Sequence, residues 1–217
     1  MPAVETSRPR PAPAALSSRD LWVAGWIAEM YAIRSDQLAV LLDRGDRAAQ
    51  RCIERLRHAG LVESRRILAG EPAWVWLTGR GQRATGSGFR PWRPNVTLLR
   101  HIAAVNDVRM FVQSRALSSE WVCERAIARD QPSDEHTPDG ILMIEQRPHA
   151  IEVELTMKSK RRLDAILTGL CAGYDQVVYF CAPGTLRQLN ELAATGRWAN
   201  IAVRSLPESA RSTAASA

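Results

Sequence analysis

The chain has 217 residues, is 46% hydrophobic and 24% charged, and carries a formal net charge of +6. This length allows one large domain or two small ones with a proper core, and the composition is that of a globular protein. No apolar run approaches the ~20 residues that span a bilayer, which excludes a transmembrane helix.

The chain opens on MPAVETSRPRPAPAALSS, rich in proline and lacking the apolar stretch of a secretory leader. It predicts a disordered arm over residues 1–18, and PESARSTAASA predicts a disordered tail over 207–217. Cys52, Cys123, Cys171 and Cys181 are far apart, with no CxxC pair. They predict buried reduced thiols in a cytoplasmic protein rather than a zinc site or a disulfide framework.

Three helices follow in quick succession. SRDLWVAGWIAEMYA places Leu21, Trp22, Ala24, Ile27, Ala28 and Tyr31 at helical spacing. RSDQLAVLLDRG starts at a Ser35 cap and ends at Gly45. DRAAQRCIERLRHAG starts at an Asp46 cap, buries Ala49, Cys52, Ile53 and Leu56, and stops at Gly60. Two strands come next, LVESRRIL and AWVWLT, joined by a turn at AGEP. Three helices and a hairpin predict a winged helix-turn-helix over residues 19–85.

Charge supports a role for this half. Residues 19–100 hold 14 arginines against 8 acids, whereas residues 101–217 hold 13 basic residues against 14 acids. All the excess positive charge belongs to the first half, as phosphate neutralisation requires. The third helix presents Arg47, Gln50, Arg51 and Arg55, together with Glu54, Arg57 and His58. In a major groove, Arg pairs with guanine and Gln with adenine. Arg65 and Arg66 fall at the wing, within reach of the backbone or minor groove. A solvated helix face or a protein-docking winged helix would also accommodate these arginines, but the one-sided charge favours double-stranded DNA. TGRGQRATGSGFRPWRP reads as a flexible basic connector, with a linker at 86–96.

The second half, residues 97–206, predicts a mixed α/β sheet flanked by helices. NVTLLRHIAAVNDVRMFVQSRAL is a long amphipathic helix; WVCERAIARD, GILMIEQ and HAIEVELT are meandering strands. KRRLDAILTGLCAGY and GTLRQLNELAATG are helices, alternating with the strands QVVYFCAP and ANIAVRSL. Alternation puts Ile151, Val153 and Leu155 towards the core and Glu152 and Glu154 on the opposite face. With the hairpin formed, Asp139 returns to the same sheet end. Three carboxylates there would suit Mg²⁺, a hard ion that prefers oxygen ligands. A turn residue at Asp139 and a solvated strand face at the glutamates are the structural alternatives. Lys158, Lys160, Arg161 and Arg162 suit phosphate contacts or a solvated helix start. His101, Asn106 and Asp107 are further candidates for the site, while His136 and His149 read as surface histidines. No Gly-rich phosphate loop is present, and neither Tyr174 nor Tyr179 has the partners of a nucleophile.

A proline-aspartate turn, a hairpin and then an acid followed by a basic group resemble the PD-(D/E)XK nuclease fold. More closely, HIAAVNDVR, PDG, IEVELTMKSKRRL and YDQVVYFCAPGT resemble the replication-relaxation family of actinobacterial plasmids and integrative elements. That resemblance covers most of residues 19–206 and implies a winged helix followed by a restriction-endonuclease-like domain. It implies a Mg²⁺-dependent DNA endonuclease or nickase, with Asp139, Glu152, Glu154 and Lys158 as catalytic residues, the three acids as metal ligands and Lys158 as the lysine that helps position or activate the attacking water. One departure stands out: the pattern's lysine, two residues after the acid, is replaced here by Glu154, so Lys158 would have to reach back from the next helix. The alternative is a non-catalytic sequence-specific DNA-binding regulator with a degenerate nuclease-like domain. Expected partners are double-stranded DNA and either a second copy of the chain or a replication or transfer complex, with no membrane.

Overall fold

The computed structural model describes residues 15–130 and 135–208; the expected arm (1–18) and tail (207–217) lie mostly outside them. Helix α1 (Ser18–Met30) starts from a capping box in which the Ser17 side chain accepts from the Asp20 amide and Asp20 accepts from the Ser17 amide. It stops earlier than its periodicity suggests because Tyr31 takes φ 68°, ψ −53°. This left-handed geometry costs a non-glycine residue on the order of 1–3 kcal/mol. The turn releases a short strand, β1 (Ala32–Arg34), that the sequence did not reveal. Helices α2 (Ser35–Leu41) and α3 (Asp46–His58) follow, with Gly45 rather than Asp46 as the cap of α3. As expected, α3 buries Ala49, Cys52, Ile53 and Leu56.

Strands β2 (Val62–Arg65) and β3 (Trp74–Leu77) form the antiparallel wing, and β1 adds to the other edge of β3. The next segment, expected as a flexible connector, begins with helix α4 (Gly79–Ala84), capped by Thr78. Gly81 packs so closely on the chain that a Cβ would lie 1.9 Å from the Leu61 carbonyl oxygen. Residues 85–95 form no regular element but are strapped down. The Arg125 guanidinium lies 4.8 Å from the Phe89 ring and donates to the Arg90 carbonyl, while Trp92 meets Tyr31.

Helix α5 (Val96–Arg115) leads into β4 (Glu120–Cys123) and α6 (Glu124–Asp130). Here WVCERAIARD departs from the expected single strand: only its first three residues are extended, and the rest is helical, with Ile127 buried. Strands β5 (Gly140–Ile144) and β6 (Arg147–Glu154), helix α7 (Lys160–Gly173), β7 (Gln176–Cys181), α8 (Pro183–Ala194) and β8 (Ile201–Ser205) complete the chain. The second sheet runs β4-β5-β6-β7-β8, antiparallel as far as β6 and parallel from there. Parallel neighbours need crossovers, and α7 and α8 supply them.

Helices α7 and α8 cover one sheet face, packing Leu163, Ile166, Leu167, Leu170 and Leu189 on Ala150, Val177 and Tyr179. Helix α5 covers the other, where Val105 and Val108 join Ile151, Val153 and Phe180. This second core continues without interruption into the winged helix, through Val23, Trp26, Ile27, Leu38, Ile53 and Leu56. Buried polar groups bridge the same seam. Arg109 of α5 sits between Trp26 and Trp121, 5.1 and 5.7 Å from their rings, and pairs with Glu29 at 2.6 Å. The Gln37 amide donates to the Ala103 carbonyl and to Asp107, and Asn106 donates to the Ala32 carbonyl. Asn106 and Asp107 therefore join the two halves of the molecule and take no part in an acid site.

Candidate nucleic-acid interface and acid pocket

The apolar stripe of α3 faces inward, so its remaining positions must face out. Arg47, Gln50, Arg51, Arg57 and His58 are all exposed, as are Arg65 and Arg66 on the wing. Between the end of α3 and the wing opens a cleft of about 430 Å³ lined by Glu54, Arg57, His58, Glu63, Arg65 and Trp76. Arg55 is different. Its Nε and Nη2 donate to the two carboxylate oxygens of Asp20 at 3.0 and 2.7 Å. Asp20 is 0% exposed and also accepts from Ser17 and from the Cys52 thiol. Burial alone would raise its pKa, but the Arg55 guanidinium and these donors hold it well below the usual carboxylate range. Arg55 thus anchors α3 to α1 with its fork already engaged, and no local pattern points to a partner 35 residues away.

The acid pocket forms where β6 outruns β5. Their last paired residues are Gly140 and Ile151, leaving the Val153 amide without a strand partner on that side. The Asp139 side chain takes its place, Oδ2 accepting from Val153 N at 2.7 Å. Its other oxygen, Oδ1, meets His101 Nε2 at 2.8 Å. Gly140 is required beside it, since a Cβ there would fall 2.1 Å from the Trp121 ring.

Glu152 and Glu154 share a strand face, as alternation requires, but that face lies under α7 rather than in water: they are 2% and 4% exposed. Each has a base. Glu152 Oε1 meets His136 Nε2 at 2.9 Å, and Lys158 donates to Glu154. His136 is therefore a pocket residue and not a surface histidine, whereas His149 meets Gln176 away from the site. Asp139, Glu152, His101, His136, Glu124 and Lys158 line one cavity of about 530 Å³. Glu154 opens instead into a neighbouring cavity of about 640 Å³, with Thr97, Arg100 and Arg162. Tyr179 lies opposite Glu152 in the β6–β7 register, fully buried, its hydroxyl without a hydrogen-bond partner among the described residues.

Electrostatics follow from this packing. Burial and the nearby Asp139 charge push Glu152 up to about 7, although His136 works the other way. Burial disfavours a charged His101, yet Asp139 outweighs it and lifts the imidazole to about 9. Glu124 is raised by burial and by Asp139. Glu124 is hidden in the sequence because it directly follows the strand-like triplet 121–123; in the structure it opens α6, and the Tyr31 hydroxyl donates to it.

The expected three-acid metal centre does not assemble. Among the described residues no group of three or more His, Cys, Asp or Glu is arranged to hold a metal ion. Asp139 and Glu152 fit a hard divalent ion only as a two-carboxylate site that leaves most ligands to water.

A sequence model of the replication-relaxation family matches residues 25–196. The chain belongs to that family. Membership makes this a DNA-associated, replication-related protein. No curated protein matches the replication-relaxation chain in sequence. Among solved structures, a mutant of Lactococcus lactis ZitR is 16% identical, with a TM-score of 0.30 over 47% of this chain and 60% of that one. Disulfide-formed AbfR is 15% identical, with a TM-score of 0.30 over 47% of this chain and 70% of that one. The chain thus spans less than two thirds of the ZitR chain. Among the described residues no helix is long and apolar enough to cross a membrane.

Proposed function

We propose that this replication-relaxation protein binds double-stranded DNA site-specifically through α3 and the β2–β3 wing, serving replication of a plasmid or integrative element. The observation that carries this reading is the outer face of α3, where Arg47, Gln50 and Arg51 stand exposed over a buried apolar stripe. Arg65 and Arg66 extend the positive surface along the wing. The test uses duplexes selected from a randomised pool. Arg47→Ala and Arg51→Ala should each weaken specific binding by about 1–3 kcal/mol, roughly 5- to 150-fold, at unchanged thermal stability. Selected duplexes bound equally well by the double variant would overturn the reading. Arg55 is unsuited to this test because its removal strips the buried Asp20 of its partner.

A second reading adds Mg²⁺-dependent endonuclease or nickase activity. It is favoured by Asp139, Glu152 and Lys158 lining one cavity. Asp139 and Glu152 would hold the ion, which when bound polarises a phosphodiester and orients water. Against this, each acid already has a base: His101 on Asp139, His136 on Glu152 and Lys158 on Glu154. A lysine neutralised by Glu154 is poorly placed to activate water. The degenerate, non-catalytic alternative therefore fits the acid–base pairing better. Supercoiled plasmid incubated with Mg²⁺ or Mn²⁺ should stay intact. Nicking lost in Asp139→Ala with DNA binding preserved would establish the catalytic reading instead.

A further inference from the structure

Helix α7 begins with Lys160, Arg161 and Arg162, three consecutive exposed cations with no acid in the first turn. None of the three forms an ion pair among the described residues, and the nearby carboxylates are committed elsewhere. Asp164 pairs with Arg197 at 3.2 Å, and Glu154 takes Lys158. The start of α5, which also lacks an acid in its first turn, opens on the same region. The two helix starts flank the 640 Å³ cavity, lined by Thr97 and Arg100 from α5 and by Glu154, Lys158, Ser159 and Arg162 from the β6–α7 side, with Lys160 and Arg161 outside its lining. Cations at a helix N-terminus are repelled by the helix dipole, so this arrangement works against the stability of α7. A bound anion reverses that sign.

The spacing of the cations identifies the class of anion. Consecutive residues on an α-helix project about 100° apart, so Lys160, Arg161 and Arg162 cannot converge on one small ion. They can meet charges strung along a line. We propose that the start of α7, with the adjoining cavity, is a second DNA-contact surface that grips the phosphate backbone of the duplex. This rests on the DNA-binding reading above and extends it to the second half of the chain. That half is neutral in total charge, so composition conceals the surface. The core shared between the winged helix and the second sheet makes both surfaces parts of one body.

The test is the salt dependence of binding by the full chain. Neutralising Lys160, Arg161 and Arg162 together with alanine should lower the slope of log affinity against log salt by roughly 2–3, since each phosphate contact contributes about 0.9. Affinity should fall equally for selected and unrelated duplexes, leaving their ratio unchanged. The thermal midpoint without DNA should not fall, because repulsion at the helix start is removed. Arg161→Glu provides a variant that the dipole stabilises, and it should bind DNA more weakly than Arg161→Ala. A wild-type slope and affinity in the triple variant would overturn this surface while leaving the α3 reading intact. Failure of the wild-type chain to bind any duplex would overturn both.

Discussion

Arg55→Ala lowers the unfolding free energy by about 3–5 kcal/mol at pH 7, the cost of leaving a buried charge without its partner. The partner is Asp20, fully buried, which loses both guanidinium hydrogen bonds at once. The sequence alone assigns Arg55 to DNA, so the two roles separate cleanly in a urea titration run beside a binding assay. A shift in the urea midpoint with near-normal affinity of the folded protein is the expected result. Lost affinity at an unchanged midpoint would return Arg55 to the DNA-reading face.

The pH dependence of this variant has a definite sign. In the wild type, Asp20 is held ionised below its ordinary range, so its contribution is present above about pH 4 and lost on further acidification. Without Arg55, only the Ser17 and Cys52 donors oppose burial, so the carboxyl is held less far below its ordinary range and the variant has less stability to lose on acidification. The gap between the two proteins therefore narrows in acid.

Glu152→Gln acts in the opposite direction and stabilises the protein. Glu152 is pushed up to about 7 from an ordinary 4.5, so the folded state holds its proton more tightly than the unfolded state does. Stability from this group is complete below about pH 4.5 and is lost as the pH rises through 7. By pH 8 an ionised carboxylate is buried at a cost of about 3 kcal/mol. Glutamine avoids that cost and still offers His136 an oxygen. In EDTA the variant should unfold at a higher urea concentration than wild type at pH 8, and at a similar one at pH 5. His101, lifted to about 9, adds a parallel loss of stability at alkaline pH in both proteins. Equal midpoints at pH 8 would mean that Glu152 is comfortably solvated. A stabilising substitution at a buried acid is what a site kept for purposes other than folding should show.

Local pattern explains what could be read in the sequence. The apolar positions of α3 recur at helical spacing, so its buried face was legible, and with it the outward Arg47, Gln50 and Arg51. The α7–β7–α8–β8 sequence was equally clear from alternating periodicities, and Pro-Asp-Gly before a strand located Asp139. Long-range pairing was not legible. Nothing near Arg55 points to Asp20, and nothing near Glu152 points to His136. Alternation correctly put Glu152 and Glu154 on one face, but whether that face met water or a helix depended on where α7 returned. The strand assigned to WVCERAIARD failed because one apolar triplet cannot reveal that a helix begins at the next residue. The strand β1 was hidden for a similar reason: its three residues continue the apolar content of α1, and only the backbone reversal at Tyr31 separates them.

The seam where Arg109 lies between Trp26 and Trp121 has a consequence for modularity. An arginine gripped by aromatic rings from both halves of the chain, and tethered to Glu29, ties the choice of residue on one side to that on the other. Exchange of the winged helix for another one near residue 90 would mismatch this joint and expose apolar surface. On the proposed DNA-binding role, target preference would change more readily by substitutions along the outer face of α3 than by exchange of the whole winged helix.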